Sequence, residues 1–144
     1  MSDKPVFIVD DDLEDQEILE EAWKELEFKN PLRFFKSGEE VIHHLKKDPV
    51  VPFLIISEFD LPKMNGYELK KKLLEHKSTN FKSIPFVFLS ASTSQQQIEK
   101  AYDVCTNGYF IKESSFEKLK QQLIDIVRYW LKSRVPFEET NGTI

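Results

Sequence analysis

Cysteine is nearly absent from the 144-residue chain: Cys105 stands alone, so an internal disulfide and a cysteine-rich metal or redox centre are excluded. Long apolar runs are missing too. Nothing approaches the ~20 consecutive apolar residues of a membrane helix, and the apolar stretch in "MSDKPVFIVDDD" is too short for a signal peptide before its three acids. A cytoplasmic location without membrane attachment is the expectation. Basic charge is in deficit, with 20 Lys+Arg against 25 Asp+Glu and a formal net charge of -5. That sign opposes the counterion release that drives nucleic-acid binding, so no DNA or RNA partner is expected. There is no internal repeat and no linker, and a chain of this length suits one core burying roughly two thirds of its unfolded surface.

The residues present are those of a globular protein: 40% hydrophobic with twelve Phe, and 31% charged. Five short apolar runs punctuate the chain: "PVFIV" (5–9), "LRFF" (32–35), "PFLII" (52–56), "PFVFL" (85–89) and "GYFI" (108–111). Apolar on successive residues and rich in Val, Ile and Phe, they fit strands buried on both faces of a parallel sheet. Helical stripes lie between them: Leu19, Ala22, Trp23 and Leu26; Ile98, Ala101, Tyr102 and Cys105; then Phe116, Leu119, Leu123, Ile126, Val127 and Trp130. Ser37 with Glu40, Ser94 with Gln97 and Ser114 with Glu117 have capping-box spacing at helix starts. Strand and helix in alternation predict an α/β fold, a doubly wound parallel sheet between two helical layers, with its site at the carboxyl ends of the strands. One domain over 4–133 is expected. The remaining "RVPFEETNGTI" (134–144), with Pro136 and Gly142, is expected to be flexible or to form an interface.

In a parallel sheet the residues that follow each strand meet at one edge. The first strand delivers Asp10, Asp11 and Asp12, the third Ser57 and Glu58, the fourth Ser90, and the fifth Lys112. Oxygen-only carboxylates suit Mg²⁺, a hard cation that keeps several waters and needs one or two protein carboxylates. A lysine opposite them can hold a phosphoryl oxygen. Taken singly, each residue has a plainer role: acids at a helix N-terminus favoured by the macrodipole, a serine in a turn, a lysine on the surface. Their joint placement at one end of different strands is what favours a site.

The stretches "FIVDDD" (7–12), "LIISEFDLPKMNGYE" (54–68), "FVFLSAS" (86–92) and "NGYFIK" (107–112) together resemble the CheY-like receiver domain of two-component response regulators. The resemblance implies a five-stranded sheet in order 2-1-3-4-5 and Mg²⁺-dependent phosphoryl transfer from a histidine kinase to an aspartate. It also implies output through protein contacts. By position, Asp10 and Asp11 match the metal-binding acids, with the Asp60 backbone carbonyl as a further ligand. Ser90 matches the switch hydroxyl, Lys112 the phosphoryl-contacting lysine and Tyr109 the switch aromatic, while Pro62 and Gly66 match the turn of the loop. The last helix, with "YWLKS" (129–133), is similar to stand-alone phytochrome-associated regulators, which implies a homodimer through the last helices and tail.

Two departures stand out. The usual proline after the lysine is Glu113 here, which leaves the cis bend of that loop open, since a non-proline cis bond costs ~2.5 to 4 kcal/mol. The phosphoacceptor position, four residues before Pro62, holds Glu58. A glutamate carries its carboxylate ~1.5 Å further out than an aspartate, toward Lys112 and Ser90. In-line phosphoryl transfer loses ~100-fold from a misplacement near 1 Å. Glu58 is therefore expected to imitate the phosphorylated state in part, to weaken the Mg²⁺ site, and to make this a receiver that is not phosphorylated normally, and not an enzyme. The alternatives are a conventional receiver that uses Glu58 or Asp60 as acceptor, a haloacid-dehalogenase-type phosphatase built on Asp10-x-Asp12, an FMN binder on the same sheet, and a pure interaction module. His43, His44 and His76 are expected on helix surfaces.

Overall fold

The computed structural model describes residues 3–48, 50–77 and 79–134. The strands are β1 (Val6–Val9), β2 (Leu32–Phe35), β3 (Leu54–Ser57), β4 (Phe86–Ser90) and β5 (Gly108–Ile111). The helices are α1 (Leu13–Lys24), α2 (Gly38–Lys47), α3 (Gly66–Glu75), the single turn α4 (Thr79–Ser83), α5 (Gln95–Asp103) and α6 (Phe116–Leu131). All five strands are parallel in the order β2-β1-β3-β4-β5. That is the flavodoxin/CheY-like topology expected from the sequence. Each strand lies within two residues of its apolar run, because those runs are where a chain can be buried on two sides at once.

Alternation along the strands divides the core in two. Phe7 and Val9 point to one face, with Phe35, Ile55, Phe86 and Phe88 beneath α2, α3, α4 and α5. Val6 and Ile8 point to the other, with Leu54, Ile56, Val87 and Leu89 beneath α1 and α6. Each large side chain so buried contributes about 1.5–3 kcal/mol of transfer free energy. The edge strands depart from the two-sided burial expected of every run: Arg33 in β2 and Ile111 in β5 are exposed, since an edge strand has a neighbour on one side only.

The helix stripes hold on α1 and α6, where Leu19, Ala22 and Trp23 meet Leu119, Leu123, Ile126 and Val127. The stripe on α5 does not. Ala101 is buried, but Tyr102 is 56% exposed and Cys105 lies past the helix end with φ 59, having left the helical register. Ser37 and Ser94 cap α2 and α5 by accepting the Glu40 and Gln97 backbone N–H. The α6 cap is Ser115, accepting from the Lys118 N–H, one residue later than the Ser114 of the sequence reading. Either serine has an acidic or polar partner nearby, so the spacing alone did not fix the start. His43 is exposed as expected, whereas His44 stands edge-on to Phe7 and Phe35 and His76 stacks on Phe81. The tail residues 135–144, to which the interface expectation applied, lie outside the described residues.

Candidate functional site

The strand register decides which side chains meet. Val9 pairs with both Phe35 and Ser57, so β1, β2 and β3 end level, while Ser57 pairs with Phe88 and Ser90 with Ile111, so β4 and β5 end level with each other two residues further on. Backbone bonds carry that order past the strands: Asp10 N–H to Phe35 O (2.9 Å), Glu58 N–H to Val9 O (2.8 Å) and Lys112 N–H to Ser90 O (2.8 Å). Asp10, Glu58, Ser90 and Lys112 are thus brought to one edge, as expected.

Lys112 is the hub. Its Nζ lies 3.0 Å from Asp15 Oδ2, 3.3 Å from Asp10 Oδ2 and 3.5 Å from Glu58 Oε2, and its side chain is only 13% exposed. Burial pulls the ammonium's pKa down, but Asp10, Asp15 and Glu58 together outweigh it and hold the pKa above the ordinary lysine value. Asp10 is 3% exposed. Burial pushes its carboxyl up from the ordinary range, more than the Asp12 N–H bond and Lys112 pull it down, with Asp15 adding to the rise. Three carboxylates around one ammonium leave an excess of negative charge in a half-dry pocket.

The other acids divide. Asp12 is the α1 cap, accepting from the Glu14 and Asp15 N–H at 2.8 and 3.2 Å, so the plainer helix-terminal role is the correct one for it. Asp11 is exposed, and its side chain has no hydrogen bond or ion pair with another described residue. Asp15 was not singled out from the sequence. The signal was there: as the third residue of a capped first turn, its side chain is directed back over the strand end.

Glu58 extends from the tip of β3 with Oε1 accepting the Phe59 N–H at 3.0 Å, while Oε2 faces Lys112. It reaches Lys112 as anticipated, but no hydrogen bond joins it to Ser90 among the described residues. Ser90, 1% exposed, instead accepts the Ser92 N–H at 3.2 Å. Asp60 has turned away from the β1 acids and accepts from Gln97 Nε2 at 2.7 Å. The Tyr109 hydroxyl donates to Ser92 O at 2.9 Å and lies 3.3 Å from Gln97 Oε1. Gln97 therefore links the loop after β3 to Tyr109, a role that sequence spacing could not show because the partners are 37 and 12 residues away.

The loop after β3 is shaped by close approach. Gly66 donates to Phe59 O at 2.8 Å. A Cβ there would stand 2.5 Å from Phe88 Cε1 and 2.9 Å from Glu58 O. Asn65 and Glu68 close a capping box that starts α3. After Lys112 the described residues contain no cis peptide bond. Gln122 of α6 bridges the bend instead, accepting the Glu113 N–H at 3.2 Å and donating to Ile111 O at 2.8 Å.

Among the described residues no three His, Cys, Asp or Glu side chains converge closely enough to cage a metal ion alone. The donor set nonetheless fits a hard cation that binds through few carboxylates and keeps its waters: Asp10 and Asp11 supply hard oxygens, and the surplus negative charge is of the sign such an ion relieves.

A parallel sheet in this order, with a buried acid and hydroxyl and a half-buried lysine at its carboxyl edge, is the architecture of a receiver domain. The chain belongs to the response regulator receiver domain family, whose profile matches residues 6–124. It acts in two-component signalling, and the phosphatase and flavin alternatives are set aside by that membership. Among similar proteins is the probable methanogenesis regulatory protein FilR2 of Methanothrix harundinacea, 28% identical over 88% of this chain and 83% of its own. The response regulator Rcp1 of Synechocystis is 23% identical, covering 90% of each chain. The crystal structure of the phosphorylated cyanobacterial phytochrome response regulator RcpA superposes with a TM-score of 0.83 at 26% identity, over 94% of this chain and 99% of that one. A structure of Rcp1 in its Mn²⁺-bound form shares the fold, with a TM-score of 0.77 at 23% identity and coverage of 92% and 99%. Among the described residues no helix is long and apolar enough to cross a membrane.

Proposed function

We propose that this receiver works without ordinary phosphorylation, because Glu58 occupies the acceptor position and already engages the lysine that would hold a phosphoryl group. The observation that carries the reading is the 3.5 Å approach of Glu58 Oε2 to Lys112 Nζ, with both side chains almost buried. The imitation is partial: a carboxylate offers one negative charge and two oxygens, where a phosphoryl group offers about -1.5 to -2 and three. Asp10 and Asp15 share the same ammonium, which keeps Lys112 fixed in place.

Asp60 is a poor substitute acceptor, since its carboxylate is directed to Gln97 of α5 and away from Asp10 and Lys112. Asp10, Asp11 and the Asp60 backbone carbonyl are the groups that would hold Mg²⁺. Bound there, the ion would supply charge neutralisation for an incoming phosphoryl group. Similar receivers are described as Mn²⁺-bound and as magnesium-coordinated. Ser90 and Tyr109 are the switch pair, and the output is contact with other signalling proteins, a histidine kinase among them, with homodimerisation through α6 and the tail.

The native protein incubated with Mg²⁺ and beryllofluoride or acetyl phosphate is expected to show no adduct by intact mass and no change at Tyr109. A stoichiometric adduct on Glu58 overturns the proposal, and one on Asp60 transfers the acceptor role to it.

A further inference from the structure

At the opposite end of the sheet, below the amino ends of β4 and β5, lies a second feature that the acidic site does not use. Lys70 of α3 is 2% exposed and lines a cleft of about 200 Å³. Its ammonium stands 5.5 Å from the centroid of the Phe86 ring, and its side chain has no hydrogen bond or ion pair among the described residues, so the nitrogen keeps a little accessible surface at the cleft. A buried charge without a counter-charge is costly, and the cost invites an anion.

The rest of the cleft agrees on that sign. Lys82, Ser83 and Asn107 also line it, and among the described residues no acidic side chain does. Asn107 Oδ1 is already occupied by the Phe86 N–H at 2.8 Å, which leaves its amide N–H groups as the free function. The remaining wall is apolar, with Leu74, Ile84 and Trp130. Cationic donors and an indole in the same lining suit a ligand with an anionic head and a small apolar body. Burial holds the Lys70 ammonium below the ordinary lysine range, with Cys105 opposing the shift.

We propose that this cleft is a binding site for a small apolar carboxylate, its carboxyl group on Lys70 and Asn107 and its body against Trp130. The volume of about 200 Å³ suits an aryl or branched-chain acid. Trp130 lies near the end of α6, so an occupant would touch the helix whose first half bridges Ile111 and Glu113 through Gln122.

Benzoate, benzylamine and inorganic phosphate are the probes, titrated into the full chain while the Trp130 indole N–H is followed by NMR, with Trp130→Phe assigning the resonance. Benzoate is expected to shift it saturably, benzylamine not at all, and phosphate only weakly. Lys70→Met keeps the apolar stem and is expected to weaken benzoate binding about 30-fold or more. Asn107→Asp retains the acceptor for the Phe86 N–H while placing a negative charge in the cleft, so it tests the same idea should Lys70→Met fail to fold, and it too is expected to lose binding. Absence of saturable benzoate binding in the native protein, or unchanged affinity in either variant, overturns the proposal. Phosphate binding as tight as benzoate's refutes the apolar acid.

Discussion

Replacing Glu58 by aspartate withdraws the carboxylate by about one C–C bond, ~1.5 Å. The Glu58–Lys112 separation of 3.5 Å then opens to about 5 Å. At an effective dielectric near 20, the attraction falls from about 4.7 to about 3.3 kcal/mol, a loss of ~1.4 kcal/mol before relaxation. Both side chains are nearly buried, at 13% and 12% exposure, so little of this is screened by solvent. Some is recovered because Asp10 and Asp15 still hold the ammonium, and a net destabilisation on the order of 1 kcal/mol in urea unfolding is expected. The same retreat clears the space beside Lys112 in which a phosphoryl group would sit. Glu58→Asp should therefore acquire phosphoryl from acetyl phosphate in the presence of Mg²⁺, at a rate exceeding the native protein's by about 100-fold. Intact-mass measurement over time, with hydroxylamine to release an acyl phosphate, reads that ratio. Equal rates for the two proteins, or no modification of the aspartate form, would refute the reasoning that one methylene is what bars the reaction.

Three further outcomes follow from the geometry. Gly66→Ala forces a Cβ to within 2.5 Å of Phe88 Cε1 and 2.9 Å of Glu58 O, so a loss of about 1–3 kcal/mol is expected by urea unfolding, with shifted Glu58 and Phe59 amide resonances. Lys70→Met removes a charge whose folded-state pKa is depressed by burial. In the native protein the penalty is present in full below that folded pKa and is relieved as pH rises from it toward the unfolded value, so native stability should climb on the alkaline side, whereas the variant should lack that climb and be as stable or more stable at neutral pH. Gln97→Ala should free the Asp60 carboxylate and remove one neighbour of the Tyr109 hydroxyl. The expected signs are shifted Tyr109 ring and Asp60 amide resonances, with a stability change under about 1 kcal/mol because the Asp60 pair is exposed.

The sheet and one side of the chemistry were legible in the amino-acid pattern. Runs such as "PFLII" and "PFVFL" can be buried on both faces, and the first one or two residues after each run must then fall at the strand's carboxyl tip, so Asp10, Glu58, Ser90 and Lys112 were legible as one group from spacing. Ser37 and Ser94 were legible for a related reason, because a cap is a local interaction within four residues. Every contact between residues far apart in the chain, by contrast, had to wait for the fold. Asp15 joins Lys112 from 97 residues away, Gln97 ties Asp60 to Tyr109, and Lys70 loses its solvent because β4 happens to lie over it with Phe86. A local pattern fixes which face of its own element a side chain occupies. It cannot fix what the neighbouring element brings to that face, and a charge is paired, bridged or stranded by the neighbour.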